Sequence, residues 1–430
     1  MQLKFKVFYG WWIVAAYVFI ALSIGGVLYY GFTAFFEPIA TDMGWSYTQI
    51  SLGSSLRGFE VGLLAPLVGI LVDRWGPRKI IFIGVIILTT GLILLSYTTS
   101  LSMYYGAFAI IALGSSCCGG VAAMTAVANW FQRKIGIASG IAMCGWGLAG
   151  LLVPLIVYLI GMYGWHMSLR ILAIGILVTL LPLSLVFRHR PEQYGYLPDG
   201  QVEGPFDNDT GQPQAEEVEV TTKQALKSST FWYLMLVCFC CMILEGATIT
   251  HLMPYLSSIG IPRSRSSLIA TAIPLTSIVG RLGFGWLRDK INTKVVAVTT
   301  FLTSGLGLLC FGYIASGGTW LLVPFVILFG IGYGGFNVLR TPLVREHFGR
   351  AHFATISGLM WVGGMFGGVI APPLAGWVYD NWGSYNGIWF VFAGAAVVAS
   401  ILILRIPSPK HSFSGLKSLA DENGPERHVR

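Results

Sequence analysis

Between Trp11 and Arg405 the sequence returns repeatedly to stretches of about twenty apolar residues that are almost free of charge. That recurrence limits the fold more than any single motif does. A hydrocarbon core about 30 Å thick is crossed by roughly 20 apolar residues rising 1.5 Å each in a helix. The stretches predict helices near 11 to 36, 50 to 72, 80 to 98, 101 to 126, 137 to 161 and 166 to 187. Six more are predicted near 230 to 258, 266 to 287, 295 to 316, 320 to 341, 354 to 379 and 385 to 405. With 55% hydrophobic and only 11% charged residues, the composition excludes an ordinary soluble domain. The expected fold is an all-α membrane protein with twelve transmembrane helices in two six-helix bundles. Residues 1–187 form the first bundle and 230–405 the second, joined by a cytoplasmic linker, 188–229, and followed by a cytoplasmic tail, 406–430. Lys4 and Lys6 precede the first apolar run as in a signal peptide, but the run is too long and lacks a small-residue cleavage site, so it is read as a retained span.

Orientation follows from the Lys and Arg residues between spans, because cytoplasmic loops collect them. Arg74, Arg78, Lys79, Arg133, Lys134, Arg188, Arg190, Arg288, Lys290, Lys294, Arg345 and Arg350 occupy one alternate set of loops, together with basic residues at both ends; the opposite loops offer only Arg263 and Arg265. Both termini are therefore expected in the cytoplasm, with the chain in an inner or plasma membrane. The formal net charge of +8 then reflects topology, not a nucleic-acid partner. All seven cysteines fall in apolar spans, so no disulfide is expected. Cys238, Cys240 and Cys241 are spaced closely enough for a metal, but buried thiols act mostly as small hydrophobes. No cofactor is expected, and nothing in the sequence calls for more than a monomer in the bilayer.

The two halves repeat each other weakly. Gly69-Ile-Leu-Val-Asp73-Arg74 is echoed by Gly285-Trp-Leu-Arg-Asp289-Lys290, and Ser139-Gly140, Gly145, Gly150 and Pro154 by Ser357-Gly358, Gly363, Gly368 and Pro372. Such duplication is the mark of many transporter folds. The run Gly69 to Asp73-Arg74-Trp-Gly76-Pro-Arg78-Lys79 resembles the loop signature of the major facilitator superfamily. Within it, Tyr9-Gly10-Trp11-Trp12 and Asn129-Trp-Phe-Gln-Arg-Lys134, followed by Ile137-Ala-Ser-Gly140, resemble the monocarboxylate porter family and its bacterial oxalate/formate relatives.

Arg281 is the residue most in need of explanation. Eight residues before Asp289, it lies roughly 12 Å into the bilayer, where an Arg costs about 2.5 to 3.5 kcal/mol unless it faces an interior cavity. There a guanidinium can hold a carboxylate bidentately or be neutralised by an internal ion pair. The resemblance implies the first, since an Arg in the eighth helix is the family's substrate-anion anchor. The chain also departs from its relatives. Leu359 to Pro373 contains no second cation, and Tyr30 and Ser277 stand where eukaryotic members carry a Lys and an acid, so their proton relay does not transfer.

Other candidates are weighed as coupling or gating groups. Arg57 and Glu60 share one helix face and can neutralise each other or serve in coupling. Glu245 either carries a proton or hydrogen-bonds a neighbouring helix. His251 is expected at the outer interface. Tyr29, Tyr30, Tyr333 and Asn337 are candidate cavity walls, and Asp73, Arg74 and Arg78, with Asp289 in the second copy, are implied by the family to latch the halves in one state. The formal G-x-G-x-x-G from Gly330 to Gly335 follows no strand and reads as close helix packing. The resemblance implies secondary transport of a small monocarboxylate such as lactate, pyruvate or acetate, with proton symport. The alternatives are oxalate/formate-type exchange or transport of a larger organic acid. An enzyme would need a paired nucleophile and base or a metal cluster at membrane depth, which the sequence does not offer.

Overall fold

A computed structural model describes residues 8–59, 63–131, 135–189, 191–194, 220–288, 290–348 and 353–407. Among the described residues ten apolar helical stretches are long enough to cross a membrane, and the helices group into twelve segments. They are α1 (Gly10–Met43), α2 (Tyr47–Phe59 and Ala65–Trp75), α3 (Pro77–Ser96), α4 (Leu101–Trp130), α5 (135–163) and α6 (164–184). The second set is α7 (Ser229–Ser258), α8 (Arg263–Arg288), α9 (Thr293–Gly312), α10 (Leu322–Phe348), α11 (Phe353–Trp382) and α12 (Asn386–Arg405). The 48-residue apolar stretch Ile137–Ser184 is two helices, because Gly164 at φ 72° reverses the chain there. That left-handed conformation is cheap only for glycine. Most of the linker lies outside the described residues, apart from a tight helical turn, Pro191–Tyr194, and a short helix, Thr222–Lys227, inside its expected range.

Packing follows two rules. Toward the surface the helices expose large apolar side chains: Leu282 is 70%, Val178 65% and Leu404 63% exposed, which only lipid tolerates on this scale. Inward, small residues bring helix backbones together, since lipid gives apolar helices no hydrophobic reason to associate. The glycine run of α10 does this as expected. A Cβ on Gly330 would collide with Thr276 of α8, one on Gly334 with the Ser277 carbonyl of α8, and one on Gly332 with Ser304 of α9. Gly334→Ala is therefore expected to destabilise the second bundle by about 1–3 kcal/mol through overpacking. The measurement is the melting temperature of the purified protein; no change would mean that α8 and α10 separate without cost.

The face at which α1 begins and α12 ends, the terminal face, also holds the turn between α2 and α3. At that face Tyr9 donates to the Val186 carbonyl at 2.9 Å, and Phe8 packs on Trp130 and Phe131, tying the start of α1 to α4 and α6. Contacts between the halves run along α2 with α11, α5 with α8, and the second part of α1 with α7. Among the described residues the side-chain bonds that join the halves across these seams gather at the centre and at the far face, apart from one from Arg281 to the Met143 carbonyl on the terminal side of the centre. The molecule is thus sealed on the far side of its central layer.

Candidate functional site

The middle of α1 does not continue as a regular helix. Gly25–Tyr30 forms a π-helical turn, permitted because Gly25 and Gly26 pack directly on Trp146, Ala149 and Leu152 of α5. Such turns recur at functional sites because they change the direction in which side chains project. Here two consecutive tyrosines both reach the second half. Tyr29 donates to Glu245 Oε1 of α7 at 2.5 Å, and the hydroxyls of Tyr30 and Tyr333 of α10 are 2.9 Å apart. The rings of Tyr29 and Tyr30 meet edge to face, and Tyr29 packs the same way on Trp146. Glu245 is 6% exposed, so its bond to Tyr29 links the two halves inside the protein.

Arg281 lies on the terminal side of this layer. Its neighbour Leu282 faces lipid while Arg281 turns inward, as successive residues on a helix do at about 100° per step. Nη1 donates to the Met143 carbonyl of α5 at 2.9 Å, and Nε is buried with no hydrogen-bond partner among the described residues. None of the ion pairs among the described residues involves Arg281. Its guanidinium lies within electrostatic range of the hydroxyls of Tyr17, Tyr30 and Tyr333. The site is therefore a cationic donor beside aromatic walls, with a carboxyl one layer deeper. A narrow cleft continues into the second half between α7, α9 and α10, lined by Glu245, Thr300, Ser304 and Tyr333 among phenylalanines.

The structure brings together Arg281, Tyr29, Tyr30, Tyr333 and Glu245. Asn337 is one turn further along α10, where its side-chain amide donates to the Tyr333 carbonyl at 3.1 Å. Arg74 and Arg78 are exposed at the terminal face, away from this cluster. Glu60 and Asp289 lie outside the described residues, and Arg57 and Asp73 are placed by their backbone alone. Next to Asp289, Arg288 approaches Glu346 of α10 at 3.8 Å.

His251 departs from expectation. It is not interfacial but fully buried in the far-face seal. Its Nε2 is 2.8 Å from the Pro372 carbonyl and 2.9 Å from Ser51 Oγ, and its Nδ1 is 2.9 Å from the Tyr385 hydroxyl. A carbonyl only accepts, and the Ser51 hydroxyl already donates to the Tyr47 carbonyl at 2.7 Å. Nε2 must therefore carry the hydrogen and share it between the two oxygens, while Nδ1 accepts from Tyr385. A position toward the end of α7 does not make it exposed, because α2, α11 and α12 close over this level of the helix.

Two site residues were not foreseen. Tyr17 of α1 is 1% exposed, and its hydroxyl lies beside the Trp146 side chain. Trp146 spans from Tyr17 to Tyr29. A tyrosine and a tryptophan in apolar runs carry no sequence signal that separates them from ordinary packing residues.

A family model described as the Major Facilitator Superfamily matches residues 14–262 and 235–423. Monocarboxylate transporter 12 of Rattus norvegicus is 26% identical over 416 residues, spanning 92% of this chain and 85% of that protein. Monocarboxylate transporter 13 of Bos taurus is 25% identical over 415 residues, 93% of this chain and 89% of the relative. Among solved structures, a mutant of the nucleoside transporter NupG superposes with a TM-score of 0.70 at 18% identity, covering 93% of this chain and 99% of that one. A bacterial homolog of the human lysosomal transporter Spinster, inward-facing and unoccupied, gives 0.68 at 14% identity, covering 93% and 98%.

Proposed function

Because the chain belongs to the Major Facilitator Superfamily, a family of membrane transporters, we propose that it carries a small monocarboxylate of the lactate, pyruvate or acetate kind across the membrane together with a proton. The observation behind this reading is Arg281: a guanidinium at membrane depth with no ion pair among the described residues and a buried Nε without a hydrogen-bond partner. A charge in that setting needs an anion, and a carboxylate offers the planar pair of oxygens that matches its fork. Similarity to monocarboxylate transporters 12 and 13 supports the same substrate class.

Proton coupling rests on charge balance and on Glu245. Moving one anion against an inside-negative potential is opposed by about 2.3 kcal/mol per 100 mV, and one accompanying proton cancels that term. Glu245 sits one layer beyond the substrate cation and bridges the halves through Tyr29. The basic loops favour cytoplasmic termini and a cell membrane that is inner or plasma, with the monomer as the working unit. Asp73, Arg74 and Arg78 act on the populations of the two states, not on recognition.

The test of substrate class is binding to the purified full-length protein. Lactate, pyruvate and acetate are expected to raise its melting temperature at millimolar concentration, and oxalate and malonate to do so at least about tenfold less effectively. The reason is that α11 contains no Lys or Arg between Phe353 and Trp382 to balance a second negative charge. Stronger stabilisation by oxalate would replace this reading with dicarboxylate exchange.

A further inference from the structure

The first turn of α2 begins at the far face with a local capping arrangement. The Ser46 hydroxyl accepts from the Gln49 amide at 3.2 Å, and the Gln49 side chain accepts from the Ser46 amide at 3.0 Å. This reciprocal pair leaves the next amides, those of Tyr47 and Thr48, without a partner inside their own helix. Both are taken by one carboxylate from the other half of the molecule. Asp380, near the end of α11, accepts from the Tyr47 amide at 3.0 Å through Oδ1 and from the Thr48 amide at 2.8 Å through Oδ2, and the Thr48 hydroxyl adds a third bond at 2.5 Å.

The surroundings are shaped for this contact. One turn before Asp380, Gly376 lets the α2 backbone rest on α11: a Cβ there would meet Thr48 N and the Tyr47 carbonyl group at 2.8 Å. Tyr47 stacks on Tyr379 with centroids 4.6 Å apart. Near Asp380 at the far face, Arg263 of α8 pairs with Glu37 of α1 at 2.9 Å and also donates to the Ala34 carbonyl. Asp380 itself is exposed. A carboxylate capping a helix start in water is favourable but exchangeable, because water can take over both amides when the helices part.

We propose that Asp380 is a gating residue of the transport cycle, a cap lent by one half to α2 of the other half only while the central site is open toward the terminal face. Opening of the far face breaks the Asp380 bonds to Tyr47 and Thr48, and the serine–glutamine pair keeps the helix start formed while they are broken. Gly376 sets how closely the two helices dock, and Asp380 sets how long they stay docked.

Hydrogen exchange followed by mass spectrometry on the full-length protein in lipid tests this without any substrate, so its outcome is independent of the carboxylate reading. In Asp380→Ala, exchange is expected to become about tenfold faster at residues 44–52 and also at 250–256, where the Met253 amide bonds Thr33 across the halves, because local opening then costs less. At the same time exchange should slow at the terminal-face ends of α4 and α10, since closing that face accompanies opening of the other. Gly376→Val, which changes no charge, should give the same opposed pattern by wedging α2 from α11. If either folded variant speeds exchange only at residues 44–52 while the terminal-face ends stay unchanged, Asp380 is a local helix cap and the gating role is wrong.

Discussion

Arg281→Gln protein is expected to bind lactate, pyruvate and acetate about 2–5 kcal/mol more weakly than the wild type, a loss of roughly 30-fold to several thousand-fold. The wild-type guanidinium keeps one anchor, the Met143 carbonyl, and retains donors for an incoming anion. A glutamine cannot supply the charge, and any carboxylate entering the site would then be stripped of water with no compensating cation. Arg281→Lys should fall between the two, because an ammonium keeps the charge but loses the planar fork. Calorimetric or thermal-shift titration with the three acids at pH 7 gives the order wild type, Lys, Gln. Unaltered binding in Arg281→Gln would end the monocarboxylate assignment, since no other observation at the site singles out an anion.

The features legible from the sequence were those with a cost in lipid. Twelve spans could be counted because each unsatisfied backbone group in hydrocarbon forces a continuous helix of fixed length, and a run of apolar residues announces it. Arg281 stood out for the same reason, as did the glycines of α10, where a G-x-x-x-G-type spacing reads directly as helix contact. Relations that cost nothing in the one-dimensional pattern stayed hidden. The π-turn at Gly25–Tyr30 is encoded by two glycines that would equally suit a straight helix, yet it decides that Tyr29 and Tyr30 both face the second half. Arg263 was counted only as an exception to the charge rule. Its meaning comes from Glu37, 226 residues away in the chain. Asp380 carries no sequence mark that separates it from any solvated acid at a helix end; only the start of α2 against it gives it partners. Long-range polar pairs of this kind, joining the two halves, have no local signature.

The second large effect is expected at Glu245. Glu245→Gln keeps the size of the side chain and an oxygen able to accept from Tyr29, so the bond that joins α1 to α7 can persist while the residue can no longer take up or release a proton. If Glu245 carries the coupled proton, the variant should lose nearly all accumulation of labelled lactate driven by a pH gradient in proteoliposomes, about tenfold or more, because anion entry alone is again opposed by roughly 2.3 kcal/mol per 100 mV. Exchange of labelled for unlabelled lactate without a gradient should survive, since Arg281 still binds the anion and a loaded carrier can return without exchanging its proton. The two assays therefore separate coupling from recognition. Loss of both would mean that the Glu245 charge is needed to hold the central layer together, and retention of gradient-driven accumulation would move the proton to another acid, with Glu60 the next to be substituted.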